Sequence, residues 1–383
     1  MNVILNTHSL QSDLTGIGRY TQNLLQGLHI HNMINQVICI PAFKNHSNII
    51  KKKYFVKQFK KIIKYIPGTY SMFSDYRNSK FIKQTEFLLP NNYIYHEPCY
   101  ILNSYSGPKI CTIHDLSHIH YPEYHPKERV KYLRYNLPIS INNADHIITG
   151  SDFIRSELIN FFSIPPNKIT HIYHGISKVF KVREFSEIKI ILQRYNLHNK
   201  SYLLYVGTLE PRKNLEGLLQ AFKQLPEKQK NKYPLVFVGM KGWKTRHLET
   251  LSKKLIKQNQ LYFLGHVSEF DLPFLYSGAY GFLYLSIYEG FGFPLLEALA
   301  SGIPTLASDH SSMSEVVGSA ALKVNPLDID AITSKINQLI HDLAIRDRLK
   351  YLGPMQAAKF SWEFCIGNTI SIYRQTLKNY GIN

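Results

Sequence analysis

Long apolar runs are missing from this 383-residue sequence. No uncharged apolar stretch approaches the ~18 to 20 residues of a bilayer-spanning helix, so no spanning segment is expected. The start, MNVILNTHSLQSDLTG, has no basic region and only a short apolar run, which is not the pattern of a secretory signal, and a cytoplasmic chain is expected. Cysteine is scarce. Cys39, Cys99, Cys111 and Cys365 lie far apart, without CxxC pairs or a Cys/His ligand spacing, so neither disulfides nor structural zinc are expected. Acidic residues are also few: 27 Asp and Glu stand against 45 Lys and Arg, leaving a net charge of +18. That balance suggests an anionic partner such as phosphate, acidic lipid or nucleic acid. No helix-turn-helix, zinc or RNP pattern accompanies the charge, which argues against nucleic acid.

What is present is a globular composition, 44% hydrophobic and 19% charged, over a length that suits two domains. Short β-branched or aromatic runs alternate with amphipathic stretches, the pattern of βαβ units and parallel sheets. The first series has strands at Val3–Asn6, Val37–Ile40, Tyr93–His96, Ile110–Ile113, His146–Thr149 and Thr170–Tyr173, with helices at Arg19–His29, Pro126–Asn142 and Asp152–Phe161. A polar stretch, Lys181–Lys200, separates it from strands at Tyr202–Val206, Leu235–Val238, Leu261–Leu264, Gly281–Leu285 and Thr305–Ala307. The helices of this second series are Leu215–Gln224, Thr245–Gln258, Pro294–Ser301 and Ala331–Ala344. We therefore expect two Rossmann-like, doubly wound domains, 1–180 and 181–361. The last apolar-periodic segment, 362–380, is expected to pack back on the first. Ligands of such sheets bind in the strand-to-helix loops at the carboxyl edge.

The most informative loop is Ser286-Ile-Tyr-Glu289-Gly290-Phe291-Gly292-Phe-Pro294-Leu-Leu-Glu297. It leaves a strand and enters a helix with Pro294 read as its first residue, so amides around the glycines can face an anion. Glu289 precedes this cradle and Glu297 lies a turn inside the helix. A second strand-to-helix turn, Tyr205-Val-Gly207-Thr-Leu-Glu210-Pro-Arg212-Lys213-Asn214, sets two cations beside a glycine, suited to a diphosphate. In the first half, Gly16-Ile-Gly18-Arg19 reads as a glycine loop opening a helix. It is not GxGxxG, because Thr21 stands where the last glycine belongs. Thr112-Ile-His114-Asp115 places a histidine at a strand end, where it can orient hydroxyls or carry a proton. His118, His120 and His125 lack ligand spacing. Asp328-Ile-Asp330 has the form of a divalent-cation DxD but stands where Asp caps a helix, so no metal is expected.

These segments together resemble glycosyltransferase family 4. Glu289 and Glu297, eight apart around Gly-Phe-Gly-Phe-Pro, are similar to its E-x7-E signature, and the Arg212-Lys213-Asn214 turn is similar to its G-x-x-x-x-R-K-N stretch. Gly16 and Gly18 match its Gly-Ile-Gly-Arg loop, and His114 its H-D-L segment; His174-Gly175 departs from its usual Asn-Gly. The resemblance implies a GT-B fold in which 1–180 is the acceptor domain and 181–361 the nucleotide-sugar donor domain, with the donor diphosphate in the interdomain cleft. It also implies retaining transfer of a hexose from a nucleoside diphosphate sugar to a hydroxyl by front-face displacement, without a protein nucleophile. By the same resemblance Glu289 contacts the donor sugar and Glu297 the ribose. Arg212 and Lys213 hold the leaving diphosphate, Gly16, Gly18, Gly207, Gly290, Phe291 and Gly292 line the donor, and His114 touches sugar. The motifs are most similar to bacterial enzymes of surface-polysaccharide assembly that use GDP-mannose, with a glycan or lipid-linked acceptor. A UDP-sugar or another GDP-sugar is the alternative donor, and a nucleotide-sugar epimerase or a nucleic-acid-binding protein is a remote alternative. No cofactor or metal requirement is expected.

One segment matches no motif. From Lys44 to Lys83 eleven cations are opposed by Asp75 alone. Within Lys51–Ile66, Phe55, Phe59, Ile62, Ile63 and Ile66 share one helical face and Lys53, Lys57, Lys60, Lys61 and Lys64 the other. Such a helix either packs its apolar face on its own domain or lies on an anionic membrane. The second reading implies a peripheral position on the inner face of the cytoplasmic membrane.

Overall fold

The structure, a computed structural model, describes residues 1–11, 15–41, 68–243 and 245–382. The basic segment Lys51–Ile66 lies outside the described residues. The chain forms two compact units, Met1–Gly175 with Trp362–Asn383, and Ile176–Ser361.

The first unit is built on a parallel sheet of β1 (Asn2–Asn6), β2 (Gln36–Ile40), β3 (Tyr93–Glu97), β4 (Lys109–Ile113), β5 (His146–Thr149) and β6 (Ile169–His171), in the order β2-β1-β3-β4-β5-β6. β1 shows how sequence selects the layers. Successive side chains leave a strand on opposite faces. Val3 and Leu5 therefore join Leu24 and Leu28 of the helix Gly16–Ile30 and Ile370 and Tyr373 of the helix Trp362–Asn379. Ile4 joins Phe81 of the helix Thr69–Thr85 on the other face. Both faces are covered, which is why these strands read as continuous apolar runs.

The second unit repeats the architecture with β7 (Leu203–Val206), β8 (Leu235–Val238), β9 (Leu261–Gly265), β10 (Gly281–Tyr284), β11 (Thr305–Ser308) and β12 (Leu322–Val324), ordered β12-β11-β10-β7-β8-β9 and parallel throughout. In both sheets the strand order reverses once, between β1 and β3 in the first and between β7 and β10 in the second. A reversal leaves neighbouring loops diverging at the carboxyl edge, which is where open α/β sheets open a crevice.

Three local readings are corrected. The polar stretch Lys181–Lys200 contains a helix, Phe185–Arg194, started by a reciprocal cap between Glu184 and Glu187 and buried through Ile188, Ile191 and Leu192. The single helix expected over Ala331–Ala344 is two, Ile329–His341 and Leu343–Ala357, because the Asp342 side chain accepts the Ile345 amide and starts the second. The glycine loop before Arg19 is helical: Gly16 and Gly18 lie in the first turn of Gly16–Ile30, where the Thr15 hydroxyl accepts the Gly18 amide.

Candidate active site

The loops that follow β7 and β10 flank the reversal in the second sheet and are joined by their backbones. The Ile287 amide donates to the Arg212 carbonyl at 2.9 Å. Around that joint four charged side chains meet. Lys213 Nζ donates to Glu289 Oε1 at 2.5 Å, and Arg212 donates to Glu289 Oε2 and Glu210 Oε1, each at 2.9 Å. Arg212 also holds the Tyr288 carbonyl. The Tyr284 hydroxyl donates to Glu289 Oε1 at 2.8 Å, and Lys213 Nζ lies 3.1 Å from that hydroxyl. The backbone on either side of the carboxylate is tied down by Ser311, whose hydroxyl accepts the Glu289 amide, and by Ser312, whose hydroxyl donates to its carbonyl.

Burial alone would push the Glu289 carboxyl upward. The adjacent Arg212 and Lys213 outweigh it and hold its pKa at about 2. Glu289 is therefore ionised at neutral pH, an acceptor for hydroxyls and not a proton donor. Glycine is required where the loops touch. Gly239, after β8, has φ +146°, and a Cβ there would sit 1.9 Å from the Gly207 carbonyl oxygen.

The loop enters the helix Phe293–Ala300 through Gly292 at φ +100°, a conformation that favours glycine. Pro294 is the second helical residue and not the first, because Phe293 already has helical geometry. Phe291 is buried against Phe293 and Phe360, and Gly290 is buried beside it. Glu297 is not part of the charged cluster; it is buried in the helix and accepts the Tyr276 hydroxyl at 2.8 Å. Asp328 caps the helix Ile329–His341 by accepting the Ala331 amide. Among the described residues no group of three His, Cys, Asp or Glu is placed to hold a metal ion.

In the first unit His114 follows β4, and its Nε2 lies 2.7 Å from the Pro98 carbonyl. A carbonyl only accepts, so this nitrogen carries the proton and Nδ1 is the accepting nitrogen of the neutral ring. Burial lowers the His114 pKa against the raising effect of that bond and of Asp115. Its ring lies 5.3 Å from Tyr20, 5.9 Å from Tyr100 and 5.8 Å from His174. His174, to which sequence assigned no contact, is thus a member of the cluster, stacked on Trp362 at 6.2 Å. Space for it is left by Gly150, where a Cβ would come within 2.6 Å of its Nε2. Below runs a buried polar chain. The Tyr20 hydroxyl lies 3.1 Å from the Thr112 hydroxyl, which lies 2.8 Å from His96 Nε2, while His96 Nδ1 is 2.6 Å from the Tyr373 hydroxyl.

Sequence reasoning also missed Glu97, the last residue of β3. Its Oε2 accepts from Asn6 at 2.5 Å and from the Tyr95 hydroxyl at 2.7 Å, and its Oε1 accepts the Cys99 amide at 3.1 Å. Burial nevertheless dominates and raises its pKa to about 7. No local motif marks it, because its partners are spread over β1, β3 and the loop after β3.

Comparison with known proteins agrees with this architecture. Residues 14–178 match the family model described as Glycosyltransferase Family 4, and residues 187–354 that of glycosyl transferases group 1. The chain is 36% identical to O-antigen chain mannosyltransferase B of Escherichia coli, over 98% of this chain and 100% of that protein. Among solved structures, sucrose-phosphate synthase from Thermosynechococcus elongatus superposes with a TM-score of 0.75 at 19% identity, covering 99% of each chain. HepE of Anabaena in complex with UDP and glucose superposes with a TM-score of 0.73 at 17% identity, covering 98% of this chain and 100% of that one.

Proposed function

Because the chain belongs to glycosyltransferase family 4, we propose that it transfers mannose from a nucleoside diphosphate sugar, GDP-mannose, to a glycan or lipid-linked glycan in cell-surface polysaccharide assembly. It is a glycosyltransferase of two parallel-sheet units, and the mannosyltransferase that it matches along its whole length supports mannose as the sugar. The observation that carries the chemical reading is the cluster of Arg212, Lys213 and Glu289 at the strand-order reversal of the second unit.

In this reading the fixed cations and the amides at the start of the helix Phe293–Ala300 stabilise the departing diphosphate, so catalysis rests on electrostatics already in place. Glu289, held ionised, accepts hydroxyl hydrogen bonds from the donor sugar and keeps the cations aimed. Glu297 contacts the ribose, with Tyr276 fixing its carboxylate. Gly16, Gly18, Gly207, Gly290, Phe291 and Gly292 lie against the donor, and His114, with a fixed tautomer, contacts sugar hydroxyls. No protein nucleophile and no metal take part. Lys51–Ile66 carries a peripheral association with the anionic inner face of the cytoplasmic membrane.

The test is a screen of nucleotide sugars by thermal stabilisation and by transfer of labelled sugar, since a ligand that binds only the folded chain must raise its stability. GDP-mannose should raise the unfolding temperature and donate mannose to a mannan oligosaccharide. Stabilisation by a UDP-sugar instead would move the donor assignment to uridine, and a chain stabilised by no nucleotide sugar would not be a transferase of this kind.

A further inference from the structure

Tyr284, the last residue of β10, stands in the charged cluster of the second unit but belongs to none of the sequence motifs. It is 1% exposed, and burial together with the neighbouring Glu289 charge holds its phenol well above the ordinary range. The hydroxyl therefore keeps its hydrogen at neutral pH, and the direction of each hydrogen bond follows. Glu289 Oε1, 2.8 Å away, can only accept that hydrogen. A lone pair of the hydroxyl is left for Lys213 Nζ at 3.1 Å, and the same ammonium donates to Glu289 Oε1 at 2.5 Å. The three groups close a ring with one allowed sense of donation. An ammonium carries three hydrogens; two point into this ring, and tetrahedral geometry then fixes the direction of the third. Held by Glu289 alone, the ammonium would be free to turn about that one bond.

The ring that carries the hydroxyl is itself immobilised. Side chains two apart on a strand share a face, and Tyr284 stacks with Phe282 at 5.9 Å and, across the pairing of β10 with β7, with Tyr205 at 6.1 Å. Tyr205 does not compete for the carboxylate, since its hydroxyl donates to the Thr208 carbonyl at 3.2 Å. Phe282 in turn packs on Tyr276 at 5.4 Å, the residue whose hydroxyl holds Glu297. One row of rings thus presents a tyrosine hydroxyl to each of the two glutamates of the loop. A phenylalanine at 284 would fill its place in the row equally well, so packing does not account for the hydroxyl.

We infer that Tyr284 is a positioning residue for Lys213, fixing the ammonium so that its remaining hydrogen is aimed at the leaving diphosphate. This rests on the role given to Lys213 under the proposed function. In an intact donor the outer phosphate is esterified by the sugar; when that bond breaks, the phosphate gains a further negative charge. An aimed N–H therefore favours the transition state and the free diphosphate over the intact donor.

The experiment compares the full-length wild type with Tyr284→Phe, Lys213→Ala and the double variant. Tyr280→Phe serves as control, because the Tyr280 hydroxyl donates to the Ile340 carbonyl at 2.8 Å from the opposite end of the same strand. GDP and UDP are titrated by calorimetry, and kcat and donor KM are measured with the nucleotide sugar that proves to be the donor. Tyr284→Phe should lower kcat about tenfold and weaken the matching diphosphate about tenfold, the loss of one charge-assisted hydrogen bond, while donor KM changes by less than about threefold. On the Lys213→Ala background the same substitution should cost less than about twofold, since the ammonium through which it acts is gone. Tyr280→Phe should match the wild type throughout. Wild-type kcat and diphosphate affinity in Tyr284→Phe overturn the inference, as does a loss repeated in full on Lys213→Ala, which is the signature of general structural damage. A wild type that uses no nucleotide sugar removes the transferase reading, and the titrations then decide Tyr284 alone: a loss of GDP or UDP affinity that vanishes on Lys213→Ala keeps the positioning role, and any other result, absence of binding included, overturns it.

Discussion

Arg212 and Glu289 stand 77 positions apart in sequence, yet a guanidinium nitrogen of the first donates to Oε2 of the second at 2.9 Å. The same carboxylate takes Lys213 on its other oxygen, so both cations proposed for the diphosphate are aimed by one buried anion.

Replacing Arg212 or Lys213 by Ala should cut turnover by about 10²-fold or more, the cost of removing one fixed donor from a developing charge. The sugar transfer rate at saturating donor is the measurement. A double variant with near-normal turnover would place the leaving group elsewhere.

Glu289→Gln should do more harm than its size suggests, because it leaves the buried Lys213 and the partly buried Arg212 facing a neutral amide. Breaking a buried pair by neutralising one partner typically destabilises by about 3 to 5 kcal/mol. We expect a lower urea midpoint for the second unit at pH 7 and a difference from wild type that shrinks as pH falls. The sign follows from the pKa: a carboxylate held at about 2 contributes stability that is complete above its ordinary value near 4.5 and is lost as pH falls through 2. A variant as stable as wild type at pH 7 would mean that the cluster is not held by Glu289.

Acid should loosen the first unit before the second. Burial lowers His96 to about 3 and His118 and His146 to about 4, all in the first unit. Each binds a proton near 6.5 when unfolded but resists it when folded. Their contribution is therefore complete above pH 6.5 and drains away as pH falls toward 4 and 3. Trp243 and Trp362 fall in different units, so Trp243→Phe leaves a reporter of the first alone. Its unfolding temperature should drop steeply between pH 6.5 and 4, and His96→Gln should flatten that slope. A flat wild-type profile over this range would show that these rings are hydrated.

Activity should survive EDTA, since cations and amides are proposed to hold the diphosphate. Loss with chelator and rescue by Mn²⁺ or Mg²⁺ would return Asp328 and Asp330 to consideration.

Replacing Lys53, Lys57, Lys60, Lys61 and Lys64 by Gln should nearly abolish retention on anionic vesicles, because each lysine near such a surface contributes about 1 kcal/mol. Transfer to a water-soluble acceptor should persist. If the wild type ignores anionic vesicles at low salt, where the attraction is strongest, the segment does not bind membrane.

Much of this was legible in residue order. Strands buried on both faces announce themselves as apolar runs, and His146–Thr149 and Leu235–Val238 have the bounds expected of them. The charged loops were visible because Glu289 and Arg212 sit in distinctive local strings. Their mutual pairing was not, since a hydrogen bond across 77 positions leaves no local trace. The helix Thr69–Thr85 was hidden for a different reason. It buries Phe81 and two threonines and little else, so no apolar stripe marks it. Glu97 and His174 escaped because one carboxyl at a strand end, or one histidine before a glycine, is ordinary until neighbouring strands surround it.

The helix Trp362–Asn379 gives the molecule an order of assembly. It supplies Cys365, Ile370, Tyr373 and Leu377 to the core under β1, and Tyr373 completes the polar chain through His96. The second unit is one unbroken length from Ile176 to Ser361, so every residue of its core is made before the helix Trp362–Asn379. The first unit emerges earlier and must wait with an open groove for the last helix. The half of the molecule that is made first is therefore the half that is finished last, and the interval between is when its apolar groove stands exposed to chaperones and proteases.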